Sequence, residues 1–187
     1  MSAMSDEARP RIMPDWEFRG MTYLFRLVDF FSGPGKKLAR LPLRRGMTVV
    51  DYACGPGRYA VPVARFVGPE GKVYAVDIQP LALSMVRARA GRAALANIET
   101  VLVQAYDTGI PGGCADLVLL LDAFHAIGDR VALLREVRRI VKPDGVFLME
   151  PGHMDGARAR AIVTETGLFR HLETRGKDMR FAPLPLS

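Results

Sequence analysis

The most informative local pattern in this chain is Val49-Val50-Asp51-Tyr52-Ala53-Cys54-Gly55-Pro56-Gly57-Arg58. A strand of apolar residues ends at an acid, and a loop of small residues then opens a helix. Alanine and glycine leave the backbone of such a loop uncovered, so that a ligand can lie directly against it. The first turn of the helix adds unpaired N–H groups. The stretch therefore predicts a ligand-binding loop at the carboxyl end of a buried strand.

A second acid, Asp77, ends the next apolar strand and lies 20 residues after Gly57. A carboxylate at the end of a second strand accepts hydrogen bonds from ribose hydroxyls, and the alternative role is to cap the helix that begins near Pro80. Asp51, four residues before Gly55, suits a cationic ligand better than a pyrophosphate. The two acids together favour a nucleoside ligand that carries a positive charge.

Apolar strands alternate with helices along most of the chain. The predicted strands are Thr48–Tyr52, Lys72–Val76, Ile98–Val103, Asp116–Leu121, Val146–Met149, Phe169–Thr174 and Met179–Ala182. The predicted helices are about Tyr59–Phe66, Pro80–Leu95, Arg130–Val141 and Gly156–Thr166, with a turn at Lys142-Pro143-Asp144-Gly145. Strands of continuous Val, Leu and Ile joined through helices indicate a parallel sheet covered on both faces. The last two strands are too close together for a parallel crossover, so we expect an antiparallel hairpin.

The 187 residues are enough for one α/β domain with its own core. An amphipathic helix is predicted over Trp16–Phe31, and a short basic helix over Lys36–Leu41. Because these helices precede the first strand, we expect the longer one to lie over the mouth of the ligand site. The predicted parts are a flexible tail at 1–15, a helical cap at 16–45, a ligand-binding core at 46–150, and a helix with the terminal hairpin at 151–187.

Composition limits the location and partners of the protein. No apolar run reaches the roughly 18 residues that span a bilayer, and the opening residues lack an apolar signal segment. Two cysteines make neither a disulfide framework nor, alone, a metal site. The net charge of +6 comes from the two ends of the chain, without the aromatic interleaving of a nucleic-acid platform. We expect a cytoplasmic monomer or homodimer with no bound metal, no membrane span and no nucleic-acid partner.

Taken together, these motifs resemble the class I S-adenosylmethionine-dependent methyltransferases, in particular the type 11 group. The first family motif, acid–x–small–x–Gly–x–Gly, matches Asp51, Ala53, Gly55 and Gly57, and the second acid matches Asp77. The fourth-strand motif matches Asp116–Leu121 with Phe124-His125, and the fifth-strand motif matches Arg139-Ile140-Val141-Lys142-Pro143-Asp144-Gly145. One departure is Ala53, which stands where the family usually has glycine.

The resemblance implies a Rossmann-like three-layer domain over 16–187. Its sheet has seven strands in the order 3-2-1-4-5-7-6, mostly parallel with an antiparallel last strand. The cofactor is then S-adenosyl-L-methionine, and the product S-adenosyl-L-homocysteine. After the third strand, both Tyr106 and Asp107 remain candidates for the adenine contact. The cofactor-binding residues implied are Asp51, Ala53, Gly55, Gly57, Asp77, Ile78, Tyr106, Asp107 and Asp122.

The expected reaction is an in-line displacement on a methyl group that the sulfonium already activates, so proximity and orientation contribute most. A base is needed only where the acceptor must lose a proton near neutral pH. His125, after the fourth strand, is the first candidate, and His153, after the fifth, is the second. Either histidine could instead cap backbone groups at its strand–helix junction. Glu150, at the end of the fifth strand, is a candidate for the acceptor side.

The sequence favours a small-molecule acceptor. Leu121-Asp122-Ala123-Phe124 replaces the Asn/Asp-Pro-Pro-aromatic motif seen in enzymes that methylate adenine amines, and two cysteines do not supply the thiolates of an arsenic site. Two rival functions remain. Gly55-x-Gly57-x-x-Ala60 also fits a nicotinamide-dependent oxidoreductase, although Asp51 and the terminal hairpin disfavour it. The other rival is a non-catalytic module that binds S-adenosylmethionine.

Overall fold

A computed structural model describes residues 12–20, 22–23 and 37–185 of the chain. The strands are β1 Thr48–Tyr52, β2 Lys72–Asp77, β3 Ile98–Leu102, β4 Ala115–Leu120, β5 Val141–Met149, β6 Phe169–Arg175 and β7 Asp178–Pro183. The helices are α1 Ala60–Val67, α2 Pro80–Arg92, α3 Arg130–Ile140 and α4 Gly156–Glu165, with a short 3₁₀ helix at Phe124–Ala126.

All seven strands form one sheet in the order β3-β2-β1-β4-β5-β7-β6. Strands β1 to β5 pair in parallel, whereas β7 is antiparallel to both β5 and β6. The α/β class, the strand order and the antiparallel last strand are therefore as predicted. The strand order reverses between β1 and β4, and open α/β sheets bind ligands at the carboxyl ends of the strands beside such a reversal.

Helices cover both faces of the sheet and bury two separate apolar clusters. Helices α1 and α2 pack with Val49, Leu117 and Leu119 on one face. Helices α3 and α4 pack with Val118 and Leu120 on the other. Successive residues of β4 alternate between the clusters because strand side chains point to opposite faces in turn. The sheet is therefore buried between two layers of helices, and the loops of the site leave from the carboxyl ends of its strands.

Helix starts follow from local capping. The side chain of Asp129 accepts a hydrogen bond from Ala132 N at 2.9 Å before α3, and that of Asp155 accepts one from Arg158 N at 2.9 Å before α4. A side-chain oxygen at this position satisfies an N–H group that has no partner within the helix. Proline opens α2, where its missing N–H costs nothing.

The predicted turn at Lys142–Gly145 is wrong, since these residues lie inside β5. In the pairing of β4 with β5, Ala115 faces Val141 and Leu117 faces Val146. The step is two residues along β4 but five residues along β5. The extra residues of β5 form a bulge. Because β4 pairs with β5 on both sides of the bulge, β5 continues through it as one strand. Helix α3 correspondingly ends at Ile140, because Val141 already belongs to β5.

The N-terminal predictions are covered only in part. Residues 15–20 and 22–23 are helical, in line with the start of the predicted Trp16–Phe31 helix, and the rest of that helix lies outside the described residues. Residues 37–38 are helical and a turn follows, while Lys36 lies outside, as do residues 1–11 of the predicted tail. Over the described ranges, no helix combines the length and apolarity needed to cross a membrane.

Candidate functional site

The loop after β1 takes backbone conformations that small residues allow. Ala53, Gly55 and Gly57 have φ values of +59°, +51° and +78°. A Cβ at Gly55 would meet nothing within 4 Å, whereas one at Gly57 would lie 3.0 Å from Val86 Cγ2. Gly57 is therefore required where the loop packs on α2. Gly55 borders open space, so its backbone is available to a ligand.

Asp77 links the ends of β2 and β1. Its Oδ2 accepts a hydrogen bond from Gly55 N at 2.8 Å, and its Oδ1 accepts one from Gln79 N at 2.9 Å. Burial raises the pKa of Asp77, and the bonds from Gln79 and Gly55 oppose that rise. Each carboxylate oxygen has a second lone pair, which can accept a ribose hydroxyl. The acid thus orders the loop and keeps capacity for a ligand.

Asp51 is an almost fully buried acid, with 2% of its surface exposed. Burial raises the pKa of Asp51 to about 7, and the nearby charge of Asp77 adds to the rise. The hydrogen bond from Ala60 N acts in the opposite direction and lowers the pKa. The Oδ2 of Asp51 has no hydrogen-bond partner in the part of the chain that the structure describes. A cation would stabilise the ionised form, so this acid fits a ligand with a positive charge.

The two residues predicted near the adenine differ in their surroundings. Tyr106 is buried, and its hydroxyl accepts a hydrogen bond from Asp129 N at 2.9 Å. The hydroxyl of Tyr52 donates to the Tyr106 carbonyl at 2.8 Å. Asp107 is exposed, and its Oδ1 accepts from Gly109 N at 3.0 Å. Tyr106 therefore braces the core, and the Asp107 side chain is the one of the pair that solvent reaches.

The remaining predicted cofactor residues also follow strand ends. Ile78 is half-buried directly after Asp77, and it packs against the core cluster that contains Tyr52 and Tyr106. Asp122 is exposed two residues after β4, with φ at +57°. Positive φ is uncommon for a residue with a Cβ and marks a sharp turn of the chain away from the strand.

The two histidines lie together after β4 and β5. The rings of His125 and His153 are 4.9 Å apart, edge to face. His125 is half-buried and its Nδ1 has no hydrogen-bond partner among the described residues, whereas His153 is exposed. Arg130 holds the 3₁₀ helix by donating to Phe124 O at 3.2 Å and to His125 O at 3.0 Å. The structure therefore joins two residues that lie 28 positions apart in the chain.

Glu150 belongs to an ion cluster that the sequence analysis missed. Lys37 Nζ donates to Glu150 Oε1 and to Asp178 Oδ1, and all three side chains are largely buried. Burial raises the pKa of Glu150, while the ammonium of Lys37 opposes the rise. Sequence separations of 113 and 141 residues left no local signal for this cluster.

Among the described residues, no group of three or more His, Cys, Asp and Glu side chains could hold a metal ion.

A family model described as a methyltransferase domain matches residues 43–177, which is more than half of the chain. This chain belongs to that family of methyltransferases. The match spans all the strands from β1 to β6 and both acids of the site. The predicted family, class I methyltransferases dependent on S-adenosylmethionine, is confirmed, and with it the cofactor. Neither the oxidoreductase nor the non-catalytic module is favoured.

Relatives and solved structures agree with this assignment. Demethylmenaquinone methyltransferase of Listeria welshimeri is 27% identical over 135 residues, covering 72% of this chain and 56% of the relative. The chain thus spans about half the length of the curated relatives it matches.

Two solved structures share the fold. An Aquifex aeolicus S-adenosylmethionine-dependent methyltransferase has a TM-score of 0.71 at 23% identity, covering 79% of this chain and 88% of that one. A TehB-like methyltransferase from Corynebacterium glutamicum has a TM-score of 0.73 at 12% identity, covering 91% and 100%.

Proposed function

We propose that the protein transfers a methyl group from S-adenosylmethionine to a small-molecule acceptor by in-line displacement. The observation that carries the proposal is the pair of buried acids, Asp51 and Asp77, beside the loop that follows β1. Three small residues of this loop, Ala53, Gly55 and Gly57, have positive φ. S-adenosylmethionine, when bound, supplies a methyl group on a positively charged sulfur. The protein's task is then to hold that group and the acceptor in line and to exclude water.

Each acid has a distinct role in this proposal. Asp77 accepts the ribose hydroxyls while it holds Gly55 N and Gln79 N. Asp51 offsets the positive charge of the methionine part, which favours its ionised form. Ala53 and Gly55 let the backbone approach the ligand, and Gly57 lets the same loop pack on α2. Asp107 is the better candidate for the adenine amine because its side chain is exposed.

The acceptor side lies at the ends of β4 and β5. His125 is the proposed general base for a hydroxyl or acidic carbon acceptor, because it follows β4 at the carboxyl ends of the strands and its side chain is only half-buried. His153, against its ring, can orient the imidazole or contact the acceptor. Glu150 is paired with Lys37, so we propose that it helps to form the acceptor side of the site and does not take part in proton transfer. The name of the Listeria relative makes demethylated quinones a reasonable first acceptor to test.

We propose that the chain is organised in three parts around this site. Residues 16–45 are proposed to cap the cofactor core, 46–150, and 151–187 to close the sheet with a helix and a hairpin. A cytoplasmic monomer or homodimer acting on a small molecule suits this arrangement. Size-exclusion chromatography coupled to light scattering distinguishes the two oligomeric states.

Cofactor binding is the first test. We expect calorimetric titration with S-adenosylhomocysteine to give saturable binding, and NADH to give none. Asp77→Ala should weaken that binding by roughly 1.5–3 kcal/mol, since hydrogen bonds to a charged acceptor are worth about that much. Glu99→Ala is a matched control, because it removes an exposed acid near the amino-terminal end of β3, away from the carboxyl ends of the strands. Equal affinity in Asp77→Ala and Glu99→Ala would remove Asp77 from the ribose site.

Methyl transfer itself is tested with the full chain. Release of S-adenosylhomocysteine is measured over a panel of quinols, phenols and amines, and the product is identified by mass. Methylation of at least one acceptor supports the proposal. Tight cofactor binding with no transfer to any acceptor or extract fraction would instead favour the non-catalytic module.

A further inference from the structure

Gln79 contacts both the proposed ribose site and the N-terminal helix. Its backbone N–H donates to Asp77 Oδ1 at 2.9 Å. Its side-chain Nε2 donates to Met13 O and to Asp15 Oδ1, each at 3.2 Å. One residue therefore bonds the acid that ends β2 and the beginning of the helix at 15–20, which lies 64 residues earlier in the chain.

The side chain of Gln79 also holds an acceptor that is not used. Only 4% of the residue is exposed, and its Oε1 finds no hydrogen-bond donor within the ranges that the structure describes. Buried polar groups are almost always paired, so an unpaired amide oxygen needs an explanation. Gln79 does not use its side chain to cap α2 either. A nucleoside bound at Asp77, two residues away, has hydroxyl and amine groups that can donate a hydrogen bond to Gln79 Oε1.

We propose that Gln79 is a positioning residue that couples cofactor binding to the docking of the N-terminal helix. The inference rests on the proposed function of the Asp77 site. The amide is fixed at one end by Asp15 and Met13, and the backbone of the same residue is fixed by Asp77. A ligand that orders Asp77 and Gln79 therefore also orders the start of the helix. Linkage makes the effect reciprocal, so loosening the helix must weaken cofactor binding.

The chain contains its own reporter for this coupling. Trp16 is the one tryptophan in the sequence and directly follows Asp15. Its side chain is 77% exposed, so tighter docking of the helix that buries the indole would shift its emission to shorter wavelength. A signal from Trp16 separates coupling from a purely structural role of Gln79, because a structural role would not make the emission depend on the ligand.

The experiment titrates S-adenosylhomocysteine into the full chain and follows both heat and Trp16 emission. In the wild-type protein, we expect the emission to change with the same midpoint as the heat. Gln79→Ala should bind roughly fivefold more weakly or worse, and its Trp16 emission should no longer respond. Glu17→Ala is the matched control, because Glu17 is an exposed acid on the same helix, and both signals should remain as in the wild type.

Asp15→Ala completes a double-mutant cycle. Because Asp15 and Gln79 share one contact, the two substitutions together should cost no more affinity than Gln79→Ala alone. Asp15→Ala also leaves Gln79 intact, so it tests the coupling if Gln79→Ala does not fold.

Two failures can be told apart. Wild-type affinity with an unchanged Trp16 response in Gln79→Ala and Asp15→Ala overturns the coupling and leaves the proposed function standing. No binding of S-adenosylhomocysteine to the wild-type protein overturns the proposed function and the coupling with it.

Discussion

At the scale of single residues, the site is governed by two buried acids whose environments differ. Asp77 is stabilised by two backbone N–H groups, from Gly55 and Gln79. Asp51 is more deeply buried, and one of its oxygens lacks a partner in the described part of the chain. The ionised form of Asp51 therefore depends more strongly on a cationic ligand, which makes cofactor binding sensitive to pH.

We expect the affinity for S-adenosylhomocysteine to rise roughly tenfold between pH 6 and pH 8, since only the ionised Asp51 attracts the ligand's ammonium. The ionised fraction grows over this interval because burial raises the pKa of Asp51 to about 7. Calorimetry at several pH values measures the effect, and Asp51→Asn is the control that should show a flat profile. A steep profile in Asp51→Asn would assign the titration to another group.

The raised pKa of Asp51 makes the free energy of unfolding of the protein without ligand depend on pH in the opposite direction. Since the pKa of Asp51 is higher in the folded chain than its usual value of 3.8, the folded state binds the proton more tightly. Its contribution to the free energy of unfolding is thus greatest at low pH and is lost as the pH rises through about 7. Cofactor binding offsets this loss where the carboxylate is charged.

At the scale of elements, two loops meet at the carboxyl ends of β4 and β5. The 3₁₀ helix after β4 carries His125, and the loop after β5 carries Gly152 and His153. Gly152 has φ at +66°, and a Cβ there would lie 2.1 Å from His125 Nδ1. No side chain fits between the loop and the imidazole, so this glycine sets the position of the candidate base.

Gly152→Ala should destabilise the protein by more in the presence of His125 than in a His125→Ala background. The collision disappears with the imidazole, while the cost of positive φ remains in both. We expect a coupling free energy of about 1–3 kcal/mol. Urea unfolding of the wild type, the two single variants and the double variant measures it. Additive effects would show that the loop moves away from the ring at little cost.

At the scale of the whole molecule, the cluster of Lys37, Glu150 and Asp178 joins three distant parts of the chain. Lys37 precedes β1, Glu150 follows β5, and Asp178 begins β7. The antiparallel register of β7 on β5, in which Met149 pairs with Met179, brings the two carboxylates together. One ammonium then bridges both carboxylates, and it fastens the segment before β1 to the adjoining ends of β5 and β7.

Lys37→Met should lower the free energy of unfolding by about 3 kcal/mol at pH 8, because it leaves two largely buried carboxylates without their cation. Burial already raises the pKa of Glu150. The folded variant therefore takes up protons as the pH falls, and the deficit should narrow by pH 5. Adding Glu150→Gln and Asp178→Asn to Lys37→Met is the control that should recover stability at pH 8. A deficit that stays constant with pH would point to lost packing of the lysine stem.

Local sequence patterns were sufficient to predict the order of strands and helices along the chain and the acids near the carboxyl ends of β1 and β2. These features depend on local patterns: continuous apolar strands, small residues in a loop and an acid at the strand end. The same patterns placed His125 and His153 after β4 and β5. The bulge in β5 was missed because Lys142-Pro143-Asp144-Gly145 has the composition of a turn, and pairing with β4 overrides that preference.

Which side chains contact one another depends on the tertiary fold. The bond from Gln79 to Asp15, the ring contact of His125 with His153, and the ion cluster around Lys37 all join residues far apart in the sequence. A predicted adenine residue, Tyr106, has its hydroxyl bonded to the backbone of Asp129, which no local pattern indicates. Such contacts are set by strand order and register, and a local pattern contains no information about partners from another element.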